Sequence, residues 1–427
     1  MSTITLSGLN PDRNNKLLKG DLRIPSSKSH TIRALLIASF ADSPSRILDP
    51  LYSEDTKSCL NACRLLGADI KEHEWGWDVL KPVDTRANQS ALKIDTGNSG
   101  TTLYLITAMA AILDRRVDFD GDDQIRSRSA SNLLDALKDL GVQVESSENG
   151  CAPYSVCGPM KSGETSIECP TSQYLSALLL ALPLLRSQKI SRVHVPLLME
   201  KPYVEMTLKW MADQGIVLEN RNYRDFLIRG NQSYKGFEKK IPSDFSSATF
   251  FLCAAAITGS DLRFKGLDMN DTQGDKQVIP MLEKMGCSYR MEREDLLFSG
   301  GVLRGSVLDL NDTPDALPAL AATACYASSE TRIVNVPQAR MKETDRIAVM
   351  TTELRKMGAQ IEELPDGMII RPSKLKGSSV NGHGDHRIVM ALAIASLMAE
   401  GETRISTKET VDITFPGFFD LLNSLKQ

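Results

Sequence analysis

The chain has 427 residues, 42% of them apolar and 24% charged, with a formal net charge of −4. That length exceeds one ordinary hydrophobic core, so two or three domains are expected, and the composition is that of a soluble globular protein. The mild acidity excludes a broad nucleic-acid surface, so any anion site must rest on a local basic cluster.

The first residues, MSTITLSGLNPDRNN, carry no basic-then-apolar leader pattern. The longest apolar run, at residues 178–185, is too short to span a bilayer. A cytoplasmic protein that engages neither membrane nor nucleic acid is expected. Cysteines stand at 59, 63, 151, 157, 169, 253, 287 and 325. Cys59 and Cys63 can share a helix face, but no second pair has zinc-ligand spacing, so buried reduced thiols and no metal are expected.

The chain repeats itself. An apolar helical run ending in glycine returns at Gly67, Gly141, Gly215, Gly286 and Gly358, at spacings of 74, 74, 71 and 72. Glycine at that point stops a helix in the left-handed conformation. A second mark, a strand after an Ala/Leu-rich helix, recurs at Ile47, Val117, Ile190, Leu262, Ile333 and Ile405. Six units of mixed strand and helix imply an α/β fold built by repetition, three units to each of two lobes. Helices such as those holding 108–111 and 319–324 are apolar nearly all round and should be buried. The lobes are expected to be 22–240 and 1–21 with 241–427, the chain crossing twice and the site lying in the interlobe cleft.

Polar clusters break the repeat, mostly where a buried helix begins. Pro25-Ser26-Ser27-Lys28-Ser29 runs on to Arg33 and a helix at 34–40, a setting for binding phosphate or carboxylate through side chains and free N–H groups. No glycine series precedes Lys28, so this is not a P-loop. Asp95-Thr96-Gly97-Asn98-Ser99-Gly100-Thr101-Thr102 offers two glycines for close backbone approach, or is an ordinary cap and turn. Arg126 and Arg128 follow, then Thr171-Ser172-Gln173 before an apolar helix. Asp315 leads into an Ala-rich helix as either its N-cap or a reactive carboxylate. Met341-Lys342-Glu343-Thr344-Asp345-Arg346 precedes a helical pattern. If the helix includes it, Lys342 and Arg346 fall at i, i+4 and Glu343 and Arg346 at i, i+3. The cluster is then a solvated face laced with ion pairs, or an anion site beside an acid or base. Gly384-Asp385-His386-Arg387 opens the last buried helix.

These residues resemble the enolpyruvyl transferase family over nearly the whole chain. The resemblance rests on Pro25-Ser26-Ser27-Lys28-Ser29 with Arg33, Gly97-Asn98-Ser99-Gly100-Thr101-Thr102, Ser172-Gln173, Lys201-Pro202-Tyr203 and Pro314-Asp315-Ala316. It continues through Lys342-Glu343-Thr344-Asp345-Arg346, Asp385-His386-Arg387 and Phe415-Pro416. The family fold is a two-lobed inside-out α/β barrel of six repeats. Ser29 after Lys28, and no cysteine in 122–128, match the branch that uses shikimate 3-phosphate rather than the one that uses UDP-N-acetylglucosamine.

The resemblance implies that Lys28, Ser29, Arg33, Thr171, Ser172, Gln173, Asp315 and Lys342 hold shikimate 3-phosphate. It implies that Lys28, Gly100, Arg128, Gln173, Arg346 and Arg387 hold phosphoenolpyruvate, with Asp315, Glu343 and Lys28 catalytic, no cofactor, and a monomeric enzyme. An enolpyruvyl transferase with another anionic acceptor, or a non-catalytic binding protein on the same scaffold, are the other readings. The chain departs from the family pattern at Tyr104 (commonly arginine), Ser129 (proline), Glu200 (serine) and Ile413 (lysine). Glu200 is expected to pair with Lys201 or another cation, or to point away from the site.

Overall fold

The computed structural model describes residues 2–9, 17–84 and 90–426, so part of the N-terminal stretch read above lies outside them. The helices are α1 (Lys28–Ser39), α2 (Glu54–Leu66), α3 (Gly100–Ala110), α4 (Ser131–Asp139), α5 (Ser172–Ala181) and α6 (Lys201–Asp213). They continue as α7 (Phe245–Thr258), α8 (Val278–Lys284), α9 (Leu317–Ala324), α10 (Arg346–Lys356), α11 (His386–Ala395) and α12 (Phe418–Ser424).

Among the described residues the strands form five sheets of four strands and one of three. One unit shows the plan. Leu92–Asp95 runs parallel to Arg116–Asp120, and α3 is the crossover that parallel neighbours require. After α4, Gln143–Glu145 and Tyr154–Cys157 return as an antiparallel pair, and the second of them completes the sheet beside Arg116–Asp120. The units of α5 with α6 and of α9 with α10 repeat this order.

Two sheets break the plan in one reciprocal way. Lys19–Arg23 stands just before α1 yet pairs with Asp261–Lys265, in the sheet that follows α7. Glu238–Lys240 stands before α7 yet pairs with Ser45–Leu48, in the sheet that follows α1. Each strand thus completes a sheet remote from it in sequence. The chain divides into Ser26–Ile241 and a second unit of Met1–Pro25 with Pro242–Gln427. Thr3–Ser7 belongs to the second, pairing antiparallel with Glu402–Ser406 to close its three-stranded sheet.

Each unit has its own core. In the first, α3 packs on both α1 and α5; in the second, α7, α9 and α11 all touch one another. The helices read as apolar all round are buried as expected: Ala108, Ala110, Ala319, Ala321 and Ala322 are inaccessible to solvent. Small side chains let these central helices approach one another closely, while α2, α4, α6 and α10 keep one polar face. The cysteines are free thiols; six are buried, but Cys151 and Cys157 are half-exposed rather than buried.

Both sequence marks can be checked residue by residue. Gly67, Gly141, Gly215, Gly286 and Gly358 all have positive φ, between 74° and 113°. Each closes its helix identically: the glycine N–H donates three residues back and the next N–H donates five back, as in Gly215 to Ala212 and Ile216 to Met211. The strand mark holds at five positions, but Ile190 is half exposed and the buried residue opposite Ile228 is Ser191. The mark there was one residue out of phase, which in a strand moves it to the other face.

The glycine caps yield a stability ranking. A Cβ on Gly215 meets nothing within 4 Å, so Gly215→Ala carries only left-handed strain, roughly 1–2 kcal/mol. A Cβ on Gly286 would lie 2.5 Å from the Val302 carbonyl oxygen, so Gly286→Ala must cost more. Urea unfolding of the two variants should preserve that order.

Candidate active site

In the unit Ser26–Ile241 the candidate residues gather at the starts of buried helices. Helix α1 begins at Lys28, earlier than the sequence pattern suggested, because Ser27 caps it by accepting the His30 N–H. Lys28 and Ser29 therefore lie in its first turn and Arg33 one turn deeper. Lys28 Nζ lies 2.9 Å from Asp55 Oδ2 at the start of α2. Thr102, near the start of α3, donates to the Asp55 carbonyl. Arg33 is 1% exposed and spends three N–H groups on Thr207 Oγ1 and the carbonyls of Ser29 and Tyr203. Burial pushes its pKa down to about 10, so it stays charged at neutral pH. Thr207 in turn bonds Ser176 of α5, tying α1, α5 and α6 together.

Gly100 opens α3 after the Ser99 cap, and a Cβ there would lie 2.8 Å from a terminal nitrogen of Arg128. Any other residue would shift that guanidinium from where it stands. Tyr104 does not extend the cationic cluster. Its hydroxyl and that of Tyr174 both donate to the Ser129 carbonyl, fixing the backbone next to Arg128. Arg126, by contrast, forms a forked pair with Asp120, and Asn98 is engaged by Asp122 and Gln124.

Thr171 caps α5, and Gln173 donates from its side-chain nitrogen to Thr171 Oγ1 while its Oε1 is buried without a hydrogen-bond partner. Glu200 does not point outward: it is 1% exposed and accepts from the hydroxyls of Thr171 and Ser172 and from the Ser172 N–H. Lys201 pairs with Glu205 at 3.6 Å and lies over the Tyr223 ring.

The second unit holds a denser cluster. Helix α10 starts only at Arg346, because Asp345 caps it through the Ala348 N–H. Lys342 and Glu343 thus precede the helix, and the expected i, i+4 geometry is replaced by a turn. The ion pair survives regardless: Arg346 donates to Glu343. It also donates to Asp315 Oδ1 at 2.7 Å and to Asp385 Oδ2 at 2.8 Å, with its side chain 1% exposed. Asp385, fully buried, caps α11 and also accepts from Thr344.

Asp315 is not a helix cap. It lies in a tight turn at Pro314–Ala316, and α9 begins after it on Ala316 with no side-chain cap. Its oxygens are divided between two cations, Oδ1 to Arg346 and Oδ2 to Arg387 at 3.0 Å. Arg387 is braced by Ser246 of α7 at 2.7 Å. Burial alone would push the Asp315 pKa up, but Arg387, Lys342 and Arg346 together hold it well below the usual carboxylate range. Arg346 is likewise pushed down by burial but held above its ordinary value by Asp385, Glu343 and Asp315. Three carboxylates and three cations thus share one spot at the starts of α9, α10 and α11. Ile413, where lysine is common, ends a short turn at Lys408–Ile413 and is half-buried.

Sequence reasoning missed Asp55, Asp385, Ser246 and Thr207 as the groups that hold the candidate side chains. Only Asp385 had a readable signal, an acid at a helix start beside a candidate arginine. Two surface grooves, of about 850 Å³ at Tyr52 and Trp75 and about 620 Å³ at Arg186 and Gln232, include none of the candidate residues.

The family model for EPSP synthase (3-phosphoshikimate 1-carboxyvinyltransferase) matches residues 13–422. The 3-phosphoshikimate 1-carboxyvinyltransferase of Acetivibrio thermocellus is 48% identical over 412 residues, 95% of each chain. That of Methanocaldococcus jannaschii is 38% identical over 96% of each chain. Among solved structures, EPSP synthase from Acinetobacter baumannii superposes with a TM-score of 0.80 at 27% identity, over 99% of this chain and 98% of that one. The enolpyruvyl transferase NikO from Streptomyces tendae shares the fold, with a TM-score of 0.77 at 16% identity over 99% of this chain and 96% of that one.

The cluster makes a stability prediction. Arg346→Met strands three carboxylates, two of them at least four-fifths buried and one wholly so, and should cost roughly 3–5 kcal/mol. Because the folded pKa of Asp315 is depressed, its contribution is present above about pH 4 and lost as pH falls toward the folded value. Urea unfolding between pH 3 and 7 should therefore show a shallower acid limb in Asp315→Asn.

Proposed function

The chain belongs to the EPSP synthase family, and on that ground we propose that it transfers the enolpyruvyl group of phosphoenolpyruvate to the 5-hydroxyl of shikimate 3-phosphate, releasing phosphate. The observation that carries this reading beyond family membership is Asp315 clasped between Arg346 and Arg387. A carboxylate held by two guanidiniums is an anion-binding site with a base already inside it.

The reaction is an addition followed by an elimination. The acceptor oxygen attacks C2 of phosphoenolpyruvate and loses its proton to a base, while C3 takes a proton and becomes a methyl group. The ketal phosphate then loses a methyl proton as its C–O bond to phosphate breaks, leaving the enol ether. Asp315 is the base at the hydroxyl. Glu343 and Lys28 serve the methyl proton and the leaving phosphate. Arg128 over Gly100, with Lys28, Gln173, Arg346 and Arg387, binds phosphoenolpyruvate. Lys28, Ser29, Arg33, Thr171, Ser172, Gln173, Asp315 and Lys342 bind the acceptor.

The resting ion pairs give this assignment a physical logic. With both oxygens engaged and its pKa depressed, Asp315 is a weak base. The carboxylate and phosphate of phosphoenolpyruvate compete for Arg346 and Arg387. As they draw the guanidiniums, the Asp315 pKa rises and its oxygens are freed when the substrate is in place. The reading draws on residues of both units, so it requires them to act on one pair of substrates. Compaction on substrate binding, followed by small-angle scattering, tests that requirement.

Mixing the protein with phosphoenolpyruvate and shikimate 3-phosphate, and following phosphate and enol ether by NMR, tests the reaction. Product with shikimate 3-phosphate, and none with shikimate or UDP-N-acetylglucosamine, supports the reading. Binding of phosphoenolpyruvate without turnover points to another acceptor. Asp315→Asn and Glu343→Gln should each lower kcat about 10²–10⁴-fold with much smaller changes in substrate binding. Near-normal turnover of Asp315→Asn would remove it from the chemistry.

A further inference from the structure

Glu200 is an expensive residue where it stands. Its backbone is left-handed, at φ 57° and ψ 40°, a conformation costly for any residue with a Cβ. Its carboxylate is 1% exposed, and burying a charge is unfavourable unless several donors hold it. Donors that hold it converge on Oε2, among them the Thr171 hydroxyl at 3.2 Å, the Ser172 N–H at 3.2 Å and the Ser172 hydroxyl at 3.1 Å. Those donors form the opening turn of α5, where N–H groups without helical partners face an anion. The cradle is thus filled from within, by a carboxylate on the residue that precedes α6.

We propose that Glu200 is a specificity-determining residue for the acceptor, an internal anion that competes with the acceptor's phosphate for the Thr171–Ser172 donors. This rests on the functional reading above, in which Thr171 and Ser172 bind that substrate. With both hydroxyl protons and the Ser172 N–H committed to Glu200, and Thr171 Oγ1 already accepting from Gln173, these protons are not offered to an incoming ligand. A carboxylate also stands directly behind them. A phosphate must share or displace it, and like charges across a poorly solvated gap of a few ångströms repel strongly. The usual serine at this position carries no such charge. Glu200 therefore lowers affinity for a phosphate-bearing acceptor and penalises a hydroxylated one without phosphate far less.

Isothermal titration of shikimate 3-phosphate, inorganic phosphate and shikimate into the wild type, Glu200→Gln and Glu200→Ser tests this. Glu200→Gln is nearly isosteric and can still accept from Ser172, so it removes charge with little loss of packing. Glu200→Ser removes the side chain that fills the cradle, and circular dichroism checks the fold of both. The expected result is that Kd for shikimate 3-phosphate and for phosphate falls about tenfold or more in the variants, while Kd for shikimate changes several-fold less. Kinetically, the gain falls on KM for the acceptor rather than on kcat. Unchanged or weaker binding of the phosphate-bearing ligands in the folded variants would overturn the proposal, as would an equal gain for shikimate. Turnover by the wild type decides the functional reading separately, and the titrations decide the role of Glu200 whichever way that assay falls.

Discussion

A guanidinium with 1% of its side chain exposed must be surrounded by countercharge, and Arg346 is surrounded by three carboxylates. Each comes from a different place in the second unit. Asp315 lies just before α9, Glu343 in the turn before α10, and Asp385 at the cap of α11. The pairing therefore fixes three helix starts against one another as well as neutralising one cation. It also sets the state of Asp315: Arg346 and Arg387 keep that carboxyl ionised and engage both of its oxygens. In the proposed reaction, stability and reactivity depend on the same contacts, so a substitution at Arg346 should disturb both.

The repeat explains why such a cluster can form. Every repeat places a buried, small-residue helix between two strands, which pair in parallel in four repeats and are exchanged at α1 and α7, and the polar turn before that helix is where the repeat tolerates variation. In one unit Lys28, Gly100 and Thr171–Ser172 occupy three such turns, tied by Asp55, Thr102, Thr207 and Ser176. In the other, Ser246, Asp315 and Asp385 occupy the matching three, tied by Arg346 and Arg387. The exchanged strands Lys19–Arg23 and Glu238–Lys240 link the two units covalently twice. A family can thus alter its chemistry at helix starts without touching the cores.

What could be read from the sequence follows from what each signal depends on. The glycine caps were legible because a left-handed residue after a helix is a backbone requirement that only one side chain meets without strain. The buried helices were legible from composition alone. The phase of the third unit was not, since Ile190 and Ser191 differ by one residue and only strand pairing decides which faces inward. The two crossings of the chain, near residues 21 and 240, were expected, but the sheet that each of Lys19–Arg23 and Glu238–Lys240 completes was not, because partners 242 and 192 residues away leave no local trace. Asp315 looked as much like a cap as a reactive group, and the competing reading failed only when α9 was seen to start without it. The partners of Lys28, Arg33 and Arg387 are ordinary Asp, Thr and Ser residues distant in sequence, so only the fold reveals them.

In the proposed reaction Asp315 is a base held inactive by two arginines and freed when substrate anions engage them. The direct measurement is the titration of its carboxyl carbon by ¹³C NMR in aspartate-labelled protein, assigned with Asp315→Asn. It should be recorded first for the free protein and then with shikimate 3-phosphate and a non-reacting phosphoenolpyruvate analogue bound. The expected result is a pKa below the usual carboxylate range in the free protein, rising when both ligands are present. A pKa that stays depressed in the ternary complex would contradict it, because the base would then never be released.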